Sequence, residues 1–189
     1  MNAYFFILLL ALHWQHGCLI TCIFLLSFQV TDAFAARKVL SVRQYTQQPY
    51  DQLCWATSAS MIISFFKGDS TNRKIQIAQD KYGPTDFNHP GSLTDEKNAV
   101  IKYANKTGSV QNNALSYSAV QYQINNNGPI GTAIYWSSGG GHAEVMKGYD
   151  TSGNQVLYND PWDGLGHGAS YSYYLSNSSW TWDGSLFYK

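Results

Sequence analysis

The sequence predicts an α+β fold, a helical first half followed by an antiparallel β second half. Two observations lead there. Up to about residue 104, apolar residues fall into three helix-length segments, each followed by a glycine: Gly68, Gly83 and Gly108. Beyond residue 108, stretches rich in Val, Ile, Tyr and Trp are punctuated by Gly, Asn and Ser. Helices first and strands afterwards is the α+β order.

The elements follow in turn. Residues 36–47 are polar and read as an extended arm. Pro49 biases Gln48 away from helix, and Asp51 is a candidate cap. Residues 52–66 have a largely apolar surface and read as a helix, which puts Cys54 at or near its N-terminus. Further helices are expected over 72–81 and 94–104, with a loop from Gly83 to Gly91 between them. Thr94, Asp95 and Glu96 make an acidic helix start that suits the macrodipole. A short helix over 117–125, with Ser116 as its cap, stops at Asn126-Asn127-Gly128. Strands are expected over 129–136, 142–150 and 155–158, the last two joined by a turn over 151–154. Residues 169–175 and 180–188 supply further strand, rich in aromatics.

Charged residues make up only 13% of the chain, and the net charge is zero. No Lys/Arg cluster exists, so a nucleic-acid partner is not expected. The first 35 residues hold no Lys or Arg and end in Ala33-Phe34-Ala35, an A-x-A site of the kind signal peptidase cuts. The basic start usual in such segments is missing, and His13, Gln15 and His16 interrupt the apolar run. The alternative is an uncleaved membrane anchor, although the apolar run over 18–30 is short of the roughly 20 residues needed to cross a bilayer. The expected layout is therefore 1–35 signal peptide or anchor, 36–47 arm and 48–189 the folded domain. The protein is expected to be secreted or periplasmic, and a monomer. Cleavage removes Cys18 and Cys22 and leaves Cys54 as a lone thiol, an oxidation liability unless it has a task.

Three residue types in this chain carry nucleophilic chemistry. A helix N-terminus beside an imidazolium favours the thiolate, which is the reactive form of cysteine. Cys54 meets the first condition, and His142, after the run Ser137-Ser138-Gly139-Gly140-Gly141, is the candidate imidazole. Gly140 and Gly141 let backbone approach a ligand closely. Asp160, ahead of Pro161-Trp162, is the candidate carboxylate to orient the ring. His89 and His167 lie in glycine-containing loops and read as surface residues. No closely spaced ligand pair exists, so neither a metal nor another cofactor is expected.

These segments together resemble the papain-like cysteine peptidases, and most of all the staphopain, bacteriocin-leader peptidase and bacterial plant-effector types. Gln48-Pro49-Tyr50-Asp51-Gln52-Leu53-Cys54-Trp55-Ala56 resembles the start of the family's active-site helix, with Gln48 six residues before Cys54. His142-Ala143 to Gly148-Tyr149 resembles its histidine strand, and Tyr158-Asn159-Asp160-Pro161-Trp162 its orienting-residue motif. The resemblance implies a helical lobe packed on an antiparallel β lobe and hydrolysis of protein or peptide substrates. It implies Cys54 as nucleophile, His142 as base and Asp160 as the residue orienting it, ahead of Asn159. It further implies that the Gln48 side chain and the Cys54 N–H form the oxyanion hole; such a donor is worth about 3 kcal/mol. Trp162 would shield the His–Asp pair, with Trp55 beside the nucleophile.

Two residues depart from the pattern. Glu144 and Lys147 sit in a strand that is apolar in most relatives, and strict alternation puts Glu144 on the face of His142. Glu144 then either perturbs the pair or marks a different substrate. Rival readings use the same three side chains: a transglutaminase-like or deamidating acyltransferase, or a cell-wall amidase or endopeptidase. A peptide-binding relative without activity is the non-enzymatic alternative.

Overall fold

Ten successive residues of one helix, from Trp55 to Ser64, are buried. The structure is a computed structural model describing residues 36–188. The expected signal or anchor segment, with Cys18 and Cys22, lies outside the described residues. Among the described residues, no helix is long and apolar enough to cross a membrane.

The central helix, α1 (Cys54–Lys67), ends at Gly68 in a left-handed turn. Small residues, Ala56, Ser58, Ala59 and Ser60, let neighbours approach it on several sides, while Met61, Ile62 and Ile63 fill the core. Each of those large side chains contributes roughly 1.5–3 kcal/mol on burial. Against α1 pack α2 (Lys74–Tyr82) and α3 (Leu93–Ala104). Ser92 and Asp95 form a reciprocal capping box at the start of α3. Asp95 therefore fulfils the expected acidic start, whereas Glu96 turns into the core at 1% exposure.

The other side of α1 meets a seven-stranded sheet in the order β2-β7-β3-β4-β5-β6, with β1 also paired to β4. Its strands are β1 (Arg37–Val39), β2 (Gly108–Gln111), β3 (Ile130–Trp136), β4 (Gly141–Asp150), β5 (Gln155–Asp160), β6 (Leu165–Ser170) and β7 (Trp180–Tyr188). Every pairing is antiparallel. The early part of β4 pairs with β3, and its end, from Gly148 to Asp150, takes up β1 instead. Part of the expected extended arm is thus a strand of the sheet. Helix α4 (Tyr117–Asn125) matches its expected span, with the Ser116 side chain accepting from Ala119 N.

Residues 171–175 differ from expectation. They form α5 (Tyr171–Leu175), not strand, because the Ser170 side chain accepts from Tyr173 N and starts a helical turn. That turn drives Tyr174 into the core, fully buried. The tyrosines of this stretch mimic a β pattern by composition alone. The hairpin between β3 and β4 turns at Gly139 and Gly140, with φ of 95° and 89°, a region other residues rarely adopt. It places His142 opposite Ile134 at the start of β4.

Candidate active site

A cleft of about 1110 Å³ runs between the start of α1 and the sheet, lined by Cys54, Gly91, Trp136, His142, Asp160 and Trp162 among others. It has room for several residues of extended peptide. Cys54 is the first residue of α1, and the cap residue Leu53 supplies no side-chain acceptor. The first-turn N–H groups have no intrahelical acceptor, so the positive end of the helix sits at Cys54. Asp51, expected as the cap, instead accepts from Asn88 Nδ2 at 2.8 Å. Asn88 Oδ1 in turn accepts from Gln52 N at 3.2 Å, which holds that segment against the 83–91 loop.

Across the cleft, His142 Nε2 and Asp160 Oδ1 are 2.6 Å apart. The same carboxylate oxygen accepts from Trp162 N at 2.7 Å. With Nε2 engaged, Nδ1 is the nitrogen left to face Cys54, which lines the same cleft. Burial alone would lower the affinity of the imidazole for its proton. The bond to Asp160 and the influence of nearby Cys54 outweigh it, and the ring is pushed up to about 10. Burial works against ionising Asp160 as well, but the His142 bond and the Trp162 N–H hold its carboxyl below the ordinary value.

Residues 36–179 match the family described as papain-like cysteine protease AvrRpt2. The chain belongs to that family. As a papain-like cysteine peptidase it is a hydrolase, and protein or peptide substrates follow from the family. Its fold is similar to that of a C39-like peptidase from Bacillus anthracis, described as putative, at a TM-score of 0.57 and 15% identity, covering 82% of this chain and 98% of the other. It is similar again to xylellain, a cysteine protease from Xylella fastidiosa, at a TM-score of 0.56 and 13% identity, covering 81% and 85%. At those identities the likeness is one of fold. No curated protein gives a significant sequence match.

The geometry of this peptidase reassigns several side chains. Gln48 is exposed and does not line the cleft; Gln47 does, at 1% exposure. Lys74 Nζ donates to Thr46 O at 2.7 Å and Gln48 O at 2.6 Å, and Gln47 N donates to Pro161 O at 2.7 Å. These bonds fix the chain with Gln47 inward and Gln48 outward. Gln47 Nε2 donates to Tyr50 O at 3.1 Å, which leaves its second N–H uncommitted. Sequence spacing alone does not tell two adjacent glutamines apart.

Trp55 lies in the core at 1% exposure, not in the cleft. Its indole N–H donates to His89 O at 2.9 Å, so it braces the Pro90–Gly91 wall from behind. Trp162 does line the cleft, but its ring is 55% exposed. The ring stacked on His142 belongs to Trp136, with centroids 6.3 Å apart and planes 26° from parallel. Gly140 and Gly141 line the cleft. Asn159 is wholly buried and donates to Val42 O and Arg43 O, tying down the N-terminal arm. Lys147, the second departure from the family pattern, donates to Asn159 Oδ1.

The two remaining histidines among the described residues pair with nearby acids, His89 with Asp86 at 3.1 Å and His167 with Asp163 at 2.9 Å. Among the described residues, two side-chain groups have possible ligand atoms within 4.8 Å of one another: His142, Glu144 and Asp160, and Asp160, Asp163 and His167. In each, the imidazole is already bonded to a carboxylate. Sequence reasoning missed Trp136 and Gln47. Trp136 ends a strand directly before the glycine turn, the one signal that placed it near His142.

Proposed function

We propose that Cys54 is the nucleophile of this peptidase, His142 its general acid and base, and Asp160 the residue that orients the imidazole. The observation that carries the reading is the 2.6 Å contact of His142 with Asp160 in a cleft that Cys54 also lines. Cys54 sulfur attacks the scissile carbonyl carbon. The Cys54 N–H and the free N–H of Gln47 Nε2 receive the developing oxyanion, in place of Gln48. His142 protonates the leaving amine, and the acyl group remains on sulfur. His142 then takes a proton from water, which attacks the acyl carbon and releases the second product.

The test is peptide hydrolysis by purified variants. Cys54→Ala and His142→Ala abolish turnover, and Asp160→Ala costs less because it affects orientation and not bond-making. Gln47→Ala lowers kcat by about 10²–10³, whereas Gln48→Ala stays within about twofold of wild type, the ordinary reach of an exposed substitution. Full activity in Cys54→Ala would refute the scheme. We also propose that the peptidase is exported, with cleavage after Ala35. The A-x-A site and the lone thiol left in 36–189 support this. Sequencing the N-terminus of protein recovered outside the cytoplasm tests it.

A further inference from the structure

We propose that Glu144 is a positioning residue of the active site, whose carboxyl, clamped by Tyr174 against Thr132, sets the charge that the His142–Asp160 pair experiences. The inference rests on the roles of Cys54, His142 and Asp160 proposed above.

Three observations carry it. Glu144 lies two residues after His142 on β4, so both side chains share one face of the strand. One carboxylate oxygen of Glu144, one ring nitrogen of His142 and one oxygen of Asp160 all lie within 4.8 Å of one another. The carboxyl is also held in place. Tyr174 O–H donates to Glu144 Oε2 at 2.6 Å, and Thr132 Oγ1 lies 2.6 Å from the Tyr174 oxygen. Thr132 and Glu144 are direct partners across β3 and β4. The network is buried, Glu144 at 4% and Thr132 and Tyr174 at 0% exposure. A carboxyl in the core costs stability, and a strand wall next to a catalytic pair has no structural need of one.

The titratable groups around it are His142 on its own strand, Tyr158 and Asp160 on β5, Asp163 in the turn beyond and Tyr174 on α5. Two of these pull in opposite directions: His142 favours the ionised carboxylate, and Asp160 disfavours it. Burial dominates and pushes Glu144 up to about 7. The residue therefore changes charge near neutral pH. Once ionised, it adds a negative charge beside the imidazolium and holds the proton on His142, which keeps Cys54 paired with a cation. Once protonated, it withdraws that support. The proton it binds or releases is exchanged with solvent, and no bond to substrate is made.

The test is alkylation of Cys54 by iodoacetate as a function of pH. This anionic reagent responds to the imidazolium and needs no substrate. Wild type, Glu144→Gln, Glu144→Asp, Tyr174→Phe and His142→Ala are compared. Glu144→Gln keeps an acceptor for Tyr174 but cannot ionise. We expect its alkaline limb to fall about one pH unit below that of wild type, with loss of the inflection that Glu144 contributes. Glu144→Asp restores part of the shift. Tyr174→Phe removes the donor that favours the ionised carboxyl and moves the inflection to higher pH. Superimposable limbs in wild type, Glu144→Gln and Tyr174→Phe overturn the inference while leaving the nucleophile in place. Alkylation that is slow at every pH and indifferent to His142→Ala sinks the proposed site itself.

Discussion

The indole of Trp136 lies almost parallel to the imidazole of His142 and is held there by Trp180, whose ring meets it edge-on at 5.6 Å. Trp180 is fixed in turn, since its own N–H donates to Tyr174 O at 3.1 Å. The indole stands beside the ring that bonds Asp160, and a hydrogen bond is electrostatically stronger where water is kept away. Trp136→Ala should lower kcat about tenfold, or ~1.4 kcal/mol, with little change in KM. Trp162→Ala should act mainly on KM, because that ring stands exposed at the cleft rim. Steady-state kinetics on one peptide separate the two. A larger loss of kcat in Trp162→Ala would make Trp162 the shield.

Glu144 makes the native state sensitive to pH, and the sign is fixed by the direction of its shift. Its native carboxyl, at about 7, holds a proton that the unfolded chain releases near the ordinary value of 4.5. Between those values the folded state binds more protons, so stability falls as pH rises from 4.5 to 7 and stays lowered above it. The full effect is roughly 3 kcal/mol. His142 works differently: raised to about 10, it contributes stability that is complete below 6.5 and lost as pH climbs through 10. Glu144→Gln should therefore match wild type near pH 4 and exceed it in denaturant midpoint at pH 8. Equal midpoints at both pH values would contradict this.

Much of this was legible from the chain. Helix α4 was placed by its Ser116 cap and its Asn126-Asn127-Gly128 stop, both local signals that tertiary context did not override. Cys54, His142 and Asp160 came from short segments whose residue types carry chemistry. What escaped is set by direction rather than by type. Two adjacent glutamines differ only in which way the chain is turned, and bonds from Lys74 and to Pro161, distant in sequence, decide it. The resemblance implies cleft places for Trp55 and Trp162; Trp162 lines the cleft, whereas consecutive residues on a helix face different sides, and Trp55 faces the core. The strand β2 has no period to read, since its four residues GSVQ are all half-buried and gain their structure by pairing with β7.

The cleft wall at Gly91 depends on having no side chain. A Cβ there would lie 2.3 Å from the Trp55 ring, closer than any real contact allows. The ring has little freedom to retreat, because its N–H is bonded to His89 O and Tyr82 meets it edge-on at 6.5 Å. Gly91→Ala should cost about 1–3 kcal/mol, the usual penalty of overpacking. It should also raise KM by shifting the Pro90–Ser92 rim. Combined with Trp55→Leu, the two losses should be less than additive, since the smaller side chain relieves the clash. Strict additivity in thermal melts would show that the contact is not what Gly91 protects.

Glu96 is a costly side chain to bury. Both of its carboxyl oxygens are buried without a hydrogen-bond partner, in a residue 1% exposed. Its Oε2 sits where a Cβ on residue 131 would approach to 2.9 Å, so Gly131 leaves room for it. Burial pushes the carboxyl well above its ordinary value, and the charges of Cys54 and Asp95 push the same way. The fold therefore favours the neutral acid, and its contribution to stability falls as pH rises above 4.5, where the unfolded chain ionises. Methionine has a similar volume and no donor or acceptor to satisfy. Glu96→Met should raise stability by about 1–3 kcal/mol at pH 8, the cost of a buried polar group left unpaired. The gain should shrink towards pH 4, where the unfolded chain also keeps its proton. Chemical denaturation at the two pH values measures both effects. A variant less stable than wild type at pH 8 would mean that the carboxyl has a bonding partner in solution, a buried water among the candidates.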